Sequence, residues 1–309
     1  MFPLVSVVMP TFGRPDHLLR AIASVAAQDY PDIELLIVDD NDPSSADRSR
    51  TEIAVGELSN AGNAAVRYIR RPANGGGSRA RNDGISAATG HFITFLDDDD
   101  EYLPQKISKQ VRHLLAGELD ISLCGMEAIR NGKPVPYKRS FPTGTTLREF
   151  VVDGCTFTPM IMVKRSLITQ AGGFPVTPRF QDHLLMLRLL ELSPAVSILR
   201  EKLYRFHMHG GARITLSPKS VEAVLIKHEM ENRHVELLTP EERRLLRLRQ
   251  TEEHLLVHAK HGKGSLTELK KALSNADSLS EAALYLKATL KGNVAKSKLA
   301  QAARRIFKI

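Results

Sequence analysis

The sequence has very little cysteine and no hydrophobic run long enough to cross a membrane. Its 309 residues include two cysteines, Cys124 and Cys155, which lie far apart and have no CxxC or histidine-rich neighbour. This scarcity argues against a disulfide framework and a structural zinc site, and it fits a reducing compartment. No window approaches the roughly 18 apolar residues of a transmembrane helix. We therefore expect a cytoplasmic protein, at most attached peripherally to the inner face of a membrane.

The N-terminus lacks the features of a secretory signal peptide, because Pro3 and Pro10 interrupt its apolar run and no basic segment precedes it. The composition, 42% hydrophobic and 25% charged, is typical of a soluble globular protein with one large or two modest domains. The formal charge of +8 favours anionic partners. Nucleic acid, anionic lipid and phosphorylated substrates all satisfy that condition, so charge alone does not choose among them.

Apolar runs alternate with helical patterns over the first hundred residues. Strands are predicted at Leu4–Met9, Glu34–Val38 and Ala65–Ile69, with a helix capped by Asp16 after the first and a helix over about 46–58 after the second. This alternation predicts a parallel sheet with helices on its faces. Such sheets bind ligands at the carboxyl ends of their strands.

Acidic or glycine-rich clusters follow these predicted strands. Asp39 and Asp40 follow the second, the loop Asn74–Gly84 follows the third, and Asp97–Asp100 follow a fourth at His91–Leu96. Glycines let a backbone approach a ligand closely, and the arginines of the loop offer forked donors to phosphate. Two carboxylates about 4 Å apart repel by roughly 4 kcal/mol near a protein surface, so the four aspartates indicate a cation site.

The remaining chain predicts short strands over residues 121–163, a helix over Phe180–Leu190 with Asp182 in its first turn, and an edge strand at Val196–Leu199. Beyond about residue 217 the pattern is helical, over 221–238, 240–260 and 266–309 with a break at Asn275. We expect one domain over residues 1–215 and a helical region over 216–309.

The order of these clusters resembles the family 2 glycosyltransferases of the GT-A fold. The matching motifs are Val5–Phe12, Ile37–Asn41, Asn74-x-Gly76-x-x-x-Ala80-Arg81-Asn82-x-Gly84, Phe95-Leu96-Asp97-x-Asp99-Asp100, Gly172–Phe174 with Gln181–Asp182, and Tyr204-Arg205-x-His207. The resemblance implies a GT-A fold, Rossmann-like with a mostly parallel sheet, over residues 1–215.

The resemblance also implies an inverting, metal-dependent transfer of a sugar from a nucleotide diphosphate donor, with UDP favoured over dTDP or GDP. In such a site Pro10, Thr11 and Phe12 form the loop under the nucleotide, and Asp40 accepts a hydrogen bond from the base. The implied nucleotide-binding residues are Pro10, Thr11, Phe12, Arg14, Asp40, Gly76, Arg81, Asp97 and Asp98. Asp97-x-Asp99 matches the DxD motif, so Asp99, with Asp97, is expected to hold Mn²⁺ or Mg²⁺. His207 is a weaker metal candidate, because His209 competes for its place in the motif.

By the same resemblance, Asp182 is the catalytic base that removes the proton of the acceptor hydroxyl. Many relatives have Glu-Asp where this chain has Gln181-Asp182, which leaves open whether the pKa of Asp182 is tuned in the same way. An acid at the start of a helix is also a common partner of the helix dipole. Phe157, Thr158 and Pro159 are placed on the acceptor side from their position alone.

The C-terminal segment has no acid after Glu281 but many lysines and arginines among apolar residues. This composition suits a helix on an anionic membrane, and equally a helix that docks on its own domain or on a second subunit. The expected partners are a nucleotide-sugar donor, a glycan or glycolipid acceptor, a membrane surface and a second copy of the chain, and not nucleic acid.

Two other functions are compatible with parts of the sequence. A nucleotidyltransferase of related fold would make sugar nucleotides, but the chain lacks a basic GxGxR-type loop after its first strand. A non-catalytic nucleotide-sugar-binding scaffold would use the basic tail at a membrane. Replacing Asp182 separates a transferase from a scaffold, because only a transferase loses turnover.

Overall fold

A computed structural model describes residues 2–58, 64–208, 220–261 and 265–292 of the chain. The chain folds into two compact units. The first comprises Met1–Val176 and Gln181–Gly210, and the second comprises Thr177–Phe180 and Gly211–Ile309. The domain boundary predicted near residue 215 lies outside the described residues.

The first unit is built on one sheet, in which the described residues contribute nine strands. The strands are β1 (Val5–Thr11), β2 (Ile33–Asp39), β3 (Ala64–Arg70), β4 (Phe92–Phe95), β5 (Glu101–Tyr102), β6 (Ile121–Arg130), β7 (Lys133–Val135), β8 (Ile161–Lys164) and β9 (Val196–His207). Their order is β3-β2-β1-β4-β8-β6-β9-β5, with β7 paired to β6. The first four strands in this order are parallel, and β8 is antiparallel to both of its neighbours. The predicted α/β architecture is confirmed, and the sheet becomes mixed beyond β4.

Helices flank this sheet. They are α1 (Pro15–Ala26), α2 (Ala46–Leu58), α3 (Gly77–Ala87), α4 (Lys106–Ala116), α5 (Leu147–Asp153), α6 (Arg165–Gln170) and α7 (Gln181–Glu191), with a 3-10 turn at Thr158–Met160. In α1 the buried residues Leu18, Ile22 and Val25 repeat at helical spacing, and they join β1 and β2 in the core. Burial of this apolar stripe holds α1 against the sheet beside the loop that follows β1.

One local prediction was wrong and another was too short. Asp16 does not cap α1, because Arg14 occupies the N-cap position and Asp16 lies within the first turn. Val196–Leu199 is a strand that pairs with β6 on one side, as an edge strand does, but it is only the start of the twelve-residue β9, whose far end also pairs with β5. The exposed charged residues 200–202 obscure its continuation, since they fall where the pairing of β9 with β6 shifts register.

The second unit is helical where it is described. It contains α8 (Ser220–Asn232), a 3-10 turn at Val235–Leu237, α9 (Pro240–His261), α10 (Ser265–Ser274) and α11 (Leu279–Gly292). Leu255, Leu269 and Tyr285 are buried together at its centre. The predicted break at Asn275 is confirmed between α10 and α11.

The basic C-terminal segment, residues 293–309, lies outside the described residues. None of the helices that the structure describes is both long and apolar enough to cross a membrane.

The contact between α3 and the sheet gives a paired test of packing. A β-carbon on Gly84 would overlap Val8 Cγ1 and lie 3.2 Å from Val38 Cγ2, whereas one on Gly56 in α2 would meet nothing within 4 Å. Overpacking of a close contact costs roughly 1–3 kcal/mol, and alanine for glycine within a helix gains roughly 0.5–1 kcal/mol. Thermal unfolding should therefore show a lower midpoint for Gly84→Ala and a higher one for Gly56→Ala. Equal midpoints would contradict the close packing of α3 on β1 and β2.

Candidate active site

The carboxyl ends of β1, β2 and β4 meet at one edge of the sheet, because these strands are parallel and in register. Thr11 is opposite Asp39 in the pairing of β1 with β2, and Val8 is opposite Phe95 in that of β1 with β4. The loop after β1 therefore reaches the acidic run after β4, and the hydroxyl of Thr11 donates to Asp98 at 2.9 Å. The predicted convergence of these clusters is confirmed.

Asp40 holds the glycine-rich loop in place. Its carboxylate accepts hydrogen bonds from the amides of Gly75 and Gly76, both at 2.8 Å, and from the side chain of Asn74 at 3.1 Å. It is also ion-paired with Arg71. Gly76 has φ = +85°, a conformation that favours glycine, so the tight approach of this loop to Asp40 depends on it. Sequence reasoning missed Arg71, although a cation directly after β3 was a usable signal.

The four aspartates after β4 alternate between half-buried and buried positions. Asp98 is enclosed, and burial raises its pKa to about 7, with a further contribution from the charge of Asp99. Asp100 is also buried and accepts a hydrogen bond from the amide of His207 at 2.9 Å. Burial and the charges of Asp99 and Asp97 raise the pKa of Asp100 well above its usual range. The buried pair supports the turn and leaves Asp97 and Asp99 facing outward.

The outward pair, Asp97 and Asp99, suits a divalent cation. Asp97 is 33% exposed and paired with Arg81, and Asp99 is 20% exposed and paired with Arg14. Within the described residues, no three His, Cys, Asp or Glu side chains are grouped to hold a metal on their own. Mg²⁺ sites commonly use one or two carboxylates and complete their shell with substrate phosphate and water. The donor set therefore fits a hard cation that is bound together with a nucleotide.

Arg81 connects the acidic run to the start of α7. Its guanidinium bonds Gln181 Oε1 at 2.7 Å, pairs with Asp97 and lies 5.5 Å from the ring centre of Phe174. A β-carbon on Gly77 would lie 2.8 Å from Arg81 Nη1, so this glycine is what allows the arginine to lie across the loop. The glutamine that departs from the family pattern thus orients Arg81.

Asp182 is the second residue of α7, next to Gln181. One carboxylate oxygen accepts the amide of His183 at 2.8 Å. Burial raises the pKa of Asp182 to about 6, although this amide and the charge of Arg81 act in the opposite direction. A carboxylate with a pKa near 6 is ionised at neutral pH and is a stronger base than an ordinary aspartate, as a general base requires.

The predicted contributors from β9 are paired with acids. His207 Nε2 lies 2.7 Å from Glu101 Oε1, and Arg205 Nε lies 3.1 Å from Glu127. These contacts favour structural roles, and the metal role of His207 stays a prediction. His209 lies outside the described residues.

On the proposed acceptor side, Thr158 and Pro159 are buried at the start of the 3-10 turn. Phe157 is half-buried and packs against Tyr137 and Phe206, two rings that sequence reasoning missed. The rings come from three distant segments without a common motif, so the sequence carried no signal for their cluster.

The buried carboxyl of Asp98 makes stability depend on pH in a defined direction. Between its ordinary pKa of 3.8 and its folded value of about 7, the folded protein holds a proton that the unfolded chain releases. Its contribution to stability is complete below about pH 4 and is lost as the pH rises to 7. In the presence of a chelator, the unfolding free energy of the wild type relative to Asp98→Asn should fall by on the order of 3 kcal/mol between pH 4.5 and pH 8.

Urea unfolding of both proteins at the two pH values measures this difference, with the exposed Asp16→Asn as control. If the difference in unfolding free energy between the wild type and Asp98→Asn is the same at both pH values, the carboxyl of Asp98 is solvated in the folded protein.

The mixed sheet with its flanking helices has the architecture of a GT-A domain. The family follows from comparison of the sequence: the family model "Glycosyl transferase family 2" matches residues 6–174, and the chain belongs to this family.

Among named relatives, the chain is 38% identical to the GalNAc(5)-diNAcBac-PP-undecaprenol beta-1,3-glucosyltransferase of Campylobacter jejuni, over 34% of this chain and 33% of the relative. It is 27% identical to WfgD of Escherichia coli, a UDP-Glc:alpha-D-GlcNAc-diphosphoundecaprenol beta-1,3-glucosyltransferase, over 61% of this chain and 70% of the relative. The match spans between 31% and 38% of the length of several other curated relatives.

Solved structures share the fold. TarS of S. aureus, residues 1–349 in complex with UDP-GlcNAc, matches with a TM-score of 0.62 and 20% identity, over 94% of this chain and 81% of that one. The mannosyltransferase PcManGT of Pyrobaculum calidifontis, in complex with GDP-Man and Mn²⁺, matches with a TM-score of 0.60 and 15% identity, over 100% of this chain and 88% of that one.

Proposed function

We propose that the chain is an inverting, metal-dependent glycosyltransferase that moves a sugar from a nucleotide diphosphate donor to an acceptor hydroxyl. One observation carries the proposal: Arg81 links the outward acid Asp97 to Gln181, the neighbour of Asp182. A site suited to a metal and a diphosphate is thereby joined to a candidate base on another element of the same unit. Family membership supports the same reading.

The donor half of the site uses the carboxyl edge of the sheet. We propose that Pro10, Thr11 and Phe12 lie under the nucleotide and that Gly76 lets the loop approach it. Asp99 and Asp97 would hold Mn²⁺ or Mg²⁺, which neutralises negative charge on the departing nucleoside diphosphate when it is bound. The Mn²⁺ in the complex of PcManGT supports this cofactor class.

The arginines supply a further part of the donor site. Arg14 and Arg81 are paired with Asp99 and Asp97, and both would turn their guanidinium groups to the diphosphate oxygens of a bound donor. Asp40 and Asp98, in this proposal, complete the pocket near the base and the ribose.

UDP is the proposed nucleotide. The UDP-sugar of the TarS complex and the UDP-Glc in the name of WfgD support it, whereas GDP-Man in PcManGT keeps GDP as the alternative.

The acceptor half of the site uses Asp182. Its carboxylate would take the proton of the acceptor hydroxyl while that oxygen bonds to the anomeric carbon of the donor. The bond from this carbon to the diphosphate oxygen breaks, and its electron pair leaves with the nucleoside diphosphate. Attack opposite the leaving group inverts the anomeric configuration.

We place the reaction in the synthesis of a cell-surface polysaccharide or glycolipid. Two relatives are named for acceptors linked to undecaprenol through a diphosphate. A lipid-linked acceptor would bring the enzyme to the inner face of a membrane, and the basic residues after Glu281 suit such a surface. In this scheme residues 1–215 carry the chemistry and residues 216–309 serve membrane or subunit contact.

A thermal-shift panel of UDP-, dTDP- and GDP-sugars, each with and without Mn²⁺, tests the proposal. We expect the midpoint to rise with a UDP-sugar only when Mn²⁺ is present, because the two outward carboxylates need phosphate to complete a metal shell. Stabilisation by a GDP- or dTDP-sugar instead would show that the donor carries that nucleotide and not UDP. No stabilisation by any donor would contradict the proposed site.

A further inference from the structure

Three aromatic rings form a half-exposed cluster in the first unit. Tyr137 follows β7, Phe157 precedes the 3-10 turn and Phe206 lies near the end of β9. The ring centres of Phe157 and Phe206 are 6.1 Å apart and nearly parallel at 21°, and Tyr137 meets both edge-on at 6.3 and 5.8 Å. All three pack at the border of the core and keep part of their surface in solvent. They form an apolar wall of the kind that suits the face of a sugar ring.

A cationic group lies directly beside this wall in the chain. Arg139, two residues after Tyr137, is 43% exposed and lies 3.2 Å from Asp153, which is itself 71% exposed. A pair this exposed is worth little, so the guanidinium can exchange it for a phosphate. Its neighbour Lys138 is exposed and has no ion pair with any described residue. The segment therefore offers two cations next to the rings.

Other contacts place Arg139 near the proposed base. Burial lowers the pKa of Arg139, but a hydrogen bond to the Cys155 thiol, together with the contacts to Asp153, raises it overall. Burial raises the pKa of that thiol, Arg139 lowers it, and the charge of Asp182 raises it again. The Cys155 thiol is therefore close enough to both Arg139 and Asp182 for their charges to act on it.

The backbone fixes this arrangement. Thr143 and Cys155 exchange two hydrogen bonds, at 2.9 and 3.1 Å, which tie the Arg139 segment to the end of α5. Helix α5 packs on the start of α7 through the stacked rings of Phe150 and His183, whose centres are 4.8 Å apart. The Arg139 segment and the start of α7, which carries Asp182, are thus both fixed against α5.

We propose that Arg139 and the ring cluster Tyr137, Phe157 and Phe206 form the acceptor subsite, and that they select a sugar bearing a phosphate or diphosphate at its reducing end. The rings take the face of the sugar, the guanidinium binds the phosphate with two parallel hydrogen bonds, and the free hydroxyl at the far side of the sugar meets Asp182. The inference rests on the proposed glycosyl transfer and adds the acceptor class.

Binding measured on the full chain saturated with UDP and Mn²⁺ tests this subsite separately from the donor site. Calorimetric titration uses three probes: GlcNAc, GlcNAc 1-phosphate, and GlcNAc linked through a diphosphate to farnesol. We expect the two phosphorylated probes to bind at least tenfold more tightly than GlcNAc. Tighter binding of the farnesol-linked probe than of GlcNAc 1-phosphate would identify a lipid source of the phosphate. Equal binding of these two phosphorylated probes would identify a free sugar phosphate.

Substitutions then test which side chain contacts the phosphate and which contacts the sugar. Arg139→Gln should weaken the phosphorylated probes by about tenfold to a hundredfold and leave GlcNAc unchanged, since it removes a charged hydrogen-bond donor. Tyr137→Ala should weaken all three probes. Arg50→Gln is the matched control, because Arg50 is also a surface arginine paired with an aspartate, Asp16, at 2.7 Å, and it should change nothing.

Equal binding of phosphorylated and plain GlcNAc by the wild type, no binding of any probe, or an Arg139→Gln variant that binds like the wild type would overturn the subsite while leaving the donor site intact. Failure of UDP with Mn²⁺ to bind at all would instead contradict the proposed function and this inference with it.

Discussion

Replacing Asp182 by asparagine is expected to lower kcat by roughly 10²–10⁴-fold, the usual contribution of a positioned general base. The side chain keeps its shape and can still accept the amide of His183, so folding and donor binding should be preserved. The loss should therefore appear in kcat, with an unchanged thermal shift by UDP-sugar and Mn²⁺. In the wild type, kcat should rise with pH through about 6, because the base works only when ionised.

Two further variants sharpen this test. Asp16→Asn, at an acid that is 80% exposed on α1, should keep full activity. Gln181→Glu restores the charge that many relatives carry beside the base, and it should raise the pH at which activity appears, because a second negative charge disfavours ionisation of Asp182. Unchanged turnover in Asp182→Asn would remove this residue from the mechanism.

Replacing Asp99 by asparagine should abolish the dependence of donor binding on Mn²⁺ and lower turnover by roughly 10²–10³-fold. The substitution removes one of the two outward carboxylates and its charge, and a bound metal ion contributes several kcal/mol of charge stabilisation in the transition state. Titration of Mn²⁺ into protein with UDP, followed by calorimetry, measures the loss directly.

Asp98→Asn is the informative control for Asp99. Asp98 is buried and bonded to Thr11, so we expect its replacement to alter stability with pH but to keep the response to Mn²⁺. If Asp98→Asn lost Mn²⁺ binding and Asp99→Asn retained it, the roles that we assign within the acidic run would be reversed.

The parts of the fold that the sequence predicts well are those whose signal is local. Strands β1, β2 and β4 are buried on both faces, so they appear as apolar runs, and the acids at the ends of β2 and β4 mark the site edge. The sequence predicts only the start of β9, because three charged residues lie where its pairing with β6 shifts register. A charge in a strand is ordinary when the strand bulges into solvent, and no local pattern reveals that.

In the candidate site, too, some features have a local sequence signal and others do not. Four identical aspartates in a row give no clue to which are buried, and only the folded turn separates Asp98 and Asp100 from Asp97 and Asp99. The partner of Arg81 on α7 lies 100 residues away in the chain, so it depends on how α3 and α7 pack. Residue types could therefore be predicted from the sequence, whereas their division of labour required the tertiary structure.

The position of Arg81 also has a kinetic consequence. Its charge lowers the pKa of Asp182 in the free protein, and a donor diphosphate that pairs with Arg81 would cancel this field. Asp182 would then become a stronger base only after the donor arrives, which favours an ordered sequence with the donor first. We expect an acceptor analogue to inhibit uncompetitively against the donor, and noncompetitive inhibition would show that the acceptor also binds without it. In this way the guanidinium of Arg81 would keep the pKa of Asp182 lower until a donor is bound.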